Sequence, residues 1–559
     1  MNFRRHLIIA LIVASISMPL MAATNPGASI DSICAPYSAS GSPGCVIAVV
    51  KDGKTIFAKG YGLADLDNDV PMTVNSVLDI GSNTKQFTVT SILLLEEQGK
   101  LSLDDDLRKH IPEFPQYPWK ITLRHLAQHT SGIRDYFDLL TLKGMGIGNN
   151  YPDEEYFKLI YSQSELNFPP GEQHMYSNSG FILLAEVVRR VSGMPMAQFA
   201  QENILDALGM KNAVFFDDPY RIVKHRTSSY GPFPDGGYWS GASIATNIGD
   251  GGILSDVGDL AIWDANFYEN KLGKKDPNLM RKLETRTVLN NGDTMVWALG
   301  LRHDENNGHH VIRHGGAYFG FRSEIARFPE QHLTVIVLAN LATIEATGLA
   351  YQVADLYLPR ALPKELADTS PAKFVTLSRP ALEAKAGAFR NPNTGTIWTI
   401  TPNDTALSVA TSTGFNFDLM PISDNEFLPT GIALQGTVAY QKLPSGELTI
   451  ELAIAGQQTA RFQPFRVDTM PPNLDQYVGE YRCRELELTF VLSLEGDVLR
   501  FAEKGTTGQI PAQPTIKDEF VAQGGQTQIR FERDENDRIH AMRLSLPRAK
   551  NILFERASS

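Results

Sequence analysis

Residues 82–98 read SNTKQFTVTSILLLEEQ, and both the fold and the chemistry turn on this run. Its apolar residues recur three and four apart, which predicts a helix over Ser82–Gln98. Ser82 and Lys85 open it as S-x-x-K. Residues three apart on a helix share a face, so the Lys85 amine can reach the Ser82 hydroxyl. A serine is a poor nucleophile until a neighbouring base takes its proton, and a helix N-terminus adds positive potential where an oxyanion will form. In a chain of this size about one or two S-x-x-K matches arise by chance. Ser370-Pro371-Ala372-Lys373 is such a match, with no helical run behind it.

Two further segments carry groups that fit beside this pair. Tyr176-Ser177-Asn178 lies inside PGEQHMYSNSGF, just before a helical run from Gly180 to Arg190. A tyrosine beside a lysine can lose or donate a proton, and a carboxamide there can hold both a lysine and a substrate amide. Tyr268-Glu269-Asn270 matches Y-x-N as well, but Pro170-Gly171 and the following helix favour Tyr176. His314-Gly315-Gly316 ends a predicted strand in VIRHGGAYFGFRS. Paired glycines on a strand mark close backbone approach, read here as a substrate laid along the strand edge. The backbone N–H groups of Ala317 and Ser82 would then form an oxyanion hole.

Working outward, VIAVV and TIFAKGYG flank Lys51-Asp52-Gly53-Lys54 and predict a β-hairpin over Cys45–Tyr61, because Asp-Gly supplies the positive φ of a tight turn. Helical periodicity also appears around Thr122–His129. Strands are expected near His310–Gly316, Phe321–Phe328 and Leu333–Leu338, then a helix from about Ile344 to Tyr357. Strands at both ends with helices between predict one α/β unit whose first and last strands pair. Beyond about Leu362 a Pro-, Ala- and Ser-rich stretch leads into short alternating strands. This region repeats itself: Gly387-Ala388-Phe389-Arg390 matches Gly479-Glu480-Tyr481-Arg482, Phe462 corresponds to Phe554, and Asp424–Phe427 echoes Lys517–Phe520. Two copies of a small antiparallel β-barrel are the simplest explanation.

At 559 residues the chain exceeds one hydrophobic core, and 43% hydrophobic with 20% charged residues is ordinary globular composition. A formal charge of -12 excludes a protein whose affinity comes from neutralising phosphates, so nucleic acid is not an expected partner. Arg4 and Arg5, an apolar run from Leu7 to Met18, and Ala22-Ala23 have the layout of an export leader over residues 1–23. A periplasmic or secreted location follows, and no later segment is long and apolar enough to span a membrane. Export permits disulfides, and Cys34 and Cys45 are close enough to form one, a question that stays open here; Cys483 reads as a small buried hydrophobe. His125 and His129 are four apart, but Leu126 stands where a metalloprotease pattern needs Glu, so no metal is expected. No G-x-S-x-G occurs.

S-x-x-K, Y-x-N and H-x-G in this order resemble the serine β-lactamase and penicillin-binding family, specifically its class C and D-aminopeptidase branch. ITLRHL (121–126), HTSG (129–132), LGM (208–210) and WALGL (297–301) agree with it. The resemblance implies Ser82 as acylated nucleophile, Lys85 as its proton acceptor, and Tyr176 as the group that protonates the leaving amine and activates the deacylating water. Asn178 and His314 would orient substrate, with Gly316 and Ala317 beside the oxyanion. It also implies a β-lactamase-like catalytic domain (27–360) followed by two barrels (376–467 and 470–559). The Lys-Thr-Gly of true class C β-lactamases is replaced by His314-Gly315-Gly316, which removes a fixed cation and points to peptidase or amidase activity on D-amino-acid peptides. Esterase or weak β-lactamase activity is the alternative, as is a slowly turning over penicillin-binding sensor. Expected partners are a small peptide, amide or ester and a second copy in a homodimer, with no cofactor.

Overall fold

The computed structural model describes residues 26–241, 245–359, 374–392, 394–412, 416–431, 436–454, 459–465, 473–523 and 526–557. The expected leader and the second S-x-x-K match at Ser370–Lys373 lie outside them. Asp52 and Gly53 take φ of 49° and 71°, so the turn between β1 (Cys45–Lys51) and β2 (Lys54–Tyr61) is built from two left-handed residues, which matches the twist of the flanking strands. Four later strands complete the sheet: β3 (Arg302–Asn306), β4 (His309–Tyr318), β5 (Phe321–Phe328) and β6 (Leu333–Ala339). The sheet order is β3-β4-β5-β6-β1-β2, and β1 pairs antiparallel with β6 from Cys45↔Ala339 to Lys51↔Leu333. The first and last strands of the domain therefore pair within the sheet, neither at an edge.

Because side chains alternate along a strand, β1 serves two cores. Cys45, Ile47 and Val49 pack with Ile30 and Cys34 of α1 (Pro26–Cys34) and with Leu349 and Val353 of a helix that closes the domain, Ala346–Ala354. Val46, Ala48 and Val50 face the larger core around α2 (Lys85–Glu97). Lys85 through Leu95 are all buried, which is why this helix is apolar on nearly every face rather than along one stripe. The closing helix begins two residues later than the sequence pattern predicts and ends at Ala354. Cys34 and Cys45 are both free thiols, buried in the same core.

Gly387 and Gly479, the first residues of the two repeats, have φ of 147° and 151° and each opens the first strand of a closed eight-stranded barrel. The repeated positions do the same work twice: Phe389 and Tyr481, Phe427 and Phe520, and Phe462 and Phe554 are all core residues. Among the described residues no helix is long and apolar enough to cross a membrane.

Candidate active site

Ser82 does not sit in the first turn of an α-helix. Gly81–Thr84 forms a 3₁₀ turn and α2 begins at Lys85. The tighter winding brings residues three apart nearly into eclipse, and the Lys85 Nζ lies 3.1 Å from Ser82 Oγ. Lys85 is fully buried, and its amine also donates to Asn178 Oδ1 at 2.9 Å and to the Asp250 carbonyl at 2.6 Å. Three acceptors thus define three directions around one nitrogen. Asn178 opens α3 (Asn178–Ser192) and is held by its own N–H, which donates to the buried Asp135 Oδ2 at 2.5 Å.

Tyr176 joins this group: its ring centroid is 4.9 Å from Lys85 Nζ, and it lines the same cleft as Ser82 and Asn178. His129 stacks on the ring at 4.1 Å, and its Nδ1 accepts the Ser177 N–H at 3.1 Å, so the phenol is held from the face and from the adjacent backbone. Trp297 stands 5.6 Å from Tyr176 and stacks on His174. Burial pushes the imidazoles of His129, His174 and His314 below their usual range, to about 4 for His174 and about 3 for His314, where the Lys85 charge adds to the effect. His314 is therefore neutral at pH 7, and its Nδ1 donates to the Gly315 carbonyl at 2.6 Å. The other Y-x-N match lies elsewhere: Tyr268 stacks on His332, and Asn270 ends a helix in the left-handed conformation.

Gly316 of H-x-G has a packing reason that the sequence reading did not include. A Cβ on Gly316 would lie 2.0 Å from the Ile80 carbonyl oxygen and 2.3 Å from Ser323 Oγ, so this glycine lets β4 approach the protein's own backbone. A Cβ on Gly81, at φ 53°, would lie 2.8 Å from the Ala317 nitrogen. The two absences of a side chain bring the turn carrying Ser82 against β4 at Ala317. The strand edge remains usable: β3 pairs with β4 only between His309 and Arg313, and His314, Gly315, Gly316 and Ala317 line the cleft beyond it. Gly316→Ala is expected to destabilise the domain by about 1–3 kcal/mol through overpacking and to lower hydrolytic activity with it, read by thermal unfolding and turnover of the same preparation.

The cleft measures about 890 Å³ and is walled on one side by Arg548, from the second barrel. Nothing in the sequence motifs marks this residue. Its backbone carbonyl accepts from Asp135 N at 3.1 Å and from Asn167 Nδ2 at 2.9 Å, while its N–H donates to Asp138 Oδ2 at 2.5 Å. Next to it, Arg134 is 1% exposed and donates to Glu485 Oε2 at 2.8 Å and to the carbonyls of Lys550 and Asn551. Asp79 and Asp250 also border the cleft, and burial pushes both carboxyls up to about 6. His125, the other histidine with metal-like spacing, accepts the Thr122 N–H in a helix cap.

The family model for Beta-lactamase matches residues 30–358. The chain is 28% identical over 299 residues to a D-aminopeptidase of Gluconobacter oxydans, covering 53% of this chain and 56% of that one. It is 27% identical over 484 residues to a D-aminopeptidase of Cereibacter sphaeroides, covering 84% and 85%. Among solved structures, the octameric penicillin-binding protein homologue from Pyrococcus abyssi aligns with a TM-score of 0.53 at 22% identity, over 78% of this chain and 99% of that one.

Proposed function

Because the chain belongs to the Beta-lactamase family, we propose that it is an exported serine hydrolase of the D-aminopeptidase kind, acting on short D-amino-acid peptides and amides through an acyl-enzyme on Ser82. The observation that carries this reading is the Lys85 amine 3.1 Å from Ser82 Oγ, with Tyr176 over the same nitrogen. In its neutral form Lys85 takes the Ser82 proton as Oγ attacks the substrate carbonyl. Tyr176 then protonates the leaving nitrogen and later removes a proton from the water that releases the acid. The N–H groups of Ser82 and Ala317 hold the developing oxyanion, and Asn178 and the edge of β4 orient the acyl group. Release outside the cytoplasm rests on the leader-like residues 1–23.

A neutral His314 favours the peptidase reading over a β-lactamase one, since it supplies no charge for the carboxylate of a β-lactam. The curated D-aminopeptidases named above support the same choice of substrate. Mass spectrometry after exposure to a fluorophosphonate is expected to place one adduct on Ser82. D-alanyl p-nitroanilide is expected to be hydrolysed faster than its L isomer. Adduct on another residue, or no release of p-nitroaniline, overturns the assignment; a penicillin adduct that persists for hours points to a slow binder instead.

A further inference from the structure

We propose that Cys34 and Cys45, free thiols in this structure, are joined in the exported protein by a disulfide that fastens α1 to the inner strand β1. The inference rests on the export part of the reading above and is independent of the chemistry at Ser82. Cys34 is the last residue of α1 and Cys45 the first of β1, so residues 35–44 form the loop that the bond would close. Both side chains are 0% exposed in one apolar core, and their thiols hydrogen-bond to each other. The sulfur atoms therefore already face one another, the geometric condition that most cysteine pairs fail. Two thiols in contact in an oxidising compartment go on to a disulfide wherever an oxidant can reach one of them.

Reach decides which thiol reacts first. Cys45 is pinned inside the sheet, opposite Ala339 of β6 on one side and Tyr61 of β2 on the other. Cys34 is the movable partner. Its helix has nine residues, of which only Ile30 and Cys34 are buried, and a helix needs about 12–15 residues to persist without tertiary support. The polar anchor of α1 is Asp31, which accepts from Lys59 Nζ at 2.7 Å and from Tyr61 Oη at 2.8 Å. Lys59 and Asp31 are 50% and 47% exposed, so this ion pair adds little to the docking. Local opening of α1 is accordingly one of the cheaper motions of the domain.

With α1 open, or before it first docks, the Cys34 thiolate attacks a small-molecule or protein disulfide and displaces one of its thiols, leaving a mixed disulfide. Docking of α1 then brings Cys45 against the Cys34 sulfur, and the Cys45 thiolate displaces the second thiol. Two protein thiols are oxidised, one external disulfide is reduced to two thiols, and both protons end on the released thiols. The product lies beneath α1, out of reach of external reductants while the helix is docked. Cys483, the third cysteine of the chain, is buried in the first strand of the second barrel and stays a thiol.

The test equilibrates full-length protein with a glutathione and glutathione-disulfide buffer of oxidising composition, denatures it without reductant and alkylates it with iodoacetamide. One labelled cysteine, Cys483, is expected, together with a Cys34–Cys45 cross-linked peptide about 2 Da lighter than its two halves. Reduction is expected to expose three labelled cysteines and to lower the Tm of the catalytic domain by about 3–8 °C, the effect of releasing a short closed loop in a domain of this size. Cys34→Ala should make the Tm indifferent to reductant. Three labelled cysteines in the oxidised sample overturn the inference, and so does glutathione resting on Cys34 without displacement by Cys45. The same labelling of protein recovered from the periplasm or medium of expressing cells is expected to give one label. Three labels there sink this inference alone, whereas absence of the protein from both sinks the export reading with it. Turnover of D-alanyl p-nitroanilide is expected to be equal in the oxidised and reduced forms; turnover without a cross-link leaves the hydrolase reading standing, and a cross-link without turnover leaves the disulfide standing.

Discussion

Lys85→Met lowers kcat by about four orders of magnitude or more on every substrate, the size of loss seen when one member of a nucleophile–base unit is removed. Methionine keeps an unbranched side chain in a site with no exposure, so the replacement removes the amine with little change in shape. What it takes away is specific: the partner at 3.1 Å from Ser82 Oγ, and the donor to Asn178 Oδ1 and the Asp250 carbonyl. Those two acceptors lose a partner at about 1–3 kcal/mol each, partly offset because no charge need be buried. A folded but inactive protein is therefore the expected outcome, with near-ultraviolet circular dichroism as the check on folding. Tyr176→Phe provides the contrast. With a p-nitrophenyl ester the leaving group needs no proton, so this variant is expected to release a burst of nitrophenol and accumulate acyl-enzyme. Lys85→Met is expected to show no burst, because Ser82 is never activated. A burst in Lys85→Met, or full steady-state turnover in Tyr176→Phe, removes the roles assigned to these residues.

The parts of this protein that repeat or alternate could be read directly from its residues. Asp52-Gly53 specified a hairpin because few other pairs adopt two positive φ angles cheaply, and the offset between Gly387 and Gly479 marked two barrels because the same backbone conformation is required twice. The structure gathers Ser82, Lys85, Tyr176 and Asn178 around one nitrogen, and their candidacy was legible because spacing on one turn, or one residue apart before a helix, is a local property. Local spacing reached less far at Gly316: the paired glycines mark a close backbone approach, but that a side chain there would meet Ile80 is a contact between segments more than two hundred positions apart that no local pattern encodes. Arg548 and Asp135 were missed for the same reason. One lies in a barrel turn and the other before a short helix, Tyr136–Leu142, and only the docking of the barrel brings them together. A cation in a surface turn of a barrel is ordinarily solvated, so nothing about its own neighbourhood in sequence marks it.

Arg134→Met tests whether that docking is part of the active site or merely adjacent to it. The guanidinium is buried between the domains, with Glu485 Oε2 at 2.8 Å, Gln163 Oε1 at 2.9 Å and the Lys550 carbonyl at 3.0 Å. Removing one partner of a buried ion pair leaves the other charge uncompensated, and the expected loss is about 3–5 kcal/mol at the interface. Ser164 N still donates to Glu485 Oε1 at 2.9 Å, which favours the lower end of that range. Since three packed units need not unfold together, calorimetry is expected to resolve a separate early transition rather than a uniform fall in Tm. Activity should fall with it, because Arg134 adjoins Asp135, and Asp135 holds both Arg548 and the N–H of Asn178. Asn178 in turn accepts from Lys85, so a loosened barrel displaces the base as well as the wall of the cleft. The double variant Arg134→Met, Glu485→Leu separates stability from alignment, since replacing a whole buried pair with apolar groups commonly restores stability. If it recovers the thermal transition and also the activity, the barrel needs only to be attached. If it recovers the transition alone, the hydrogen bonds from Arg134 to the 546–551 connection set the geometry at Ser82. An Arg134→Met protein with unaltered unfolding and unaltered kcat/KM shows that the second barrel does not govern the site at all.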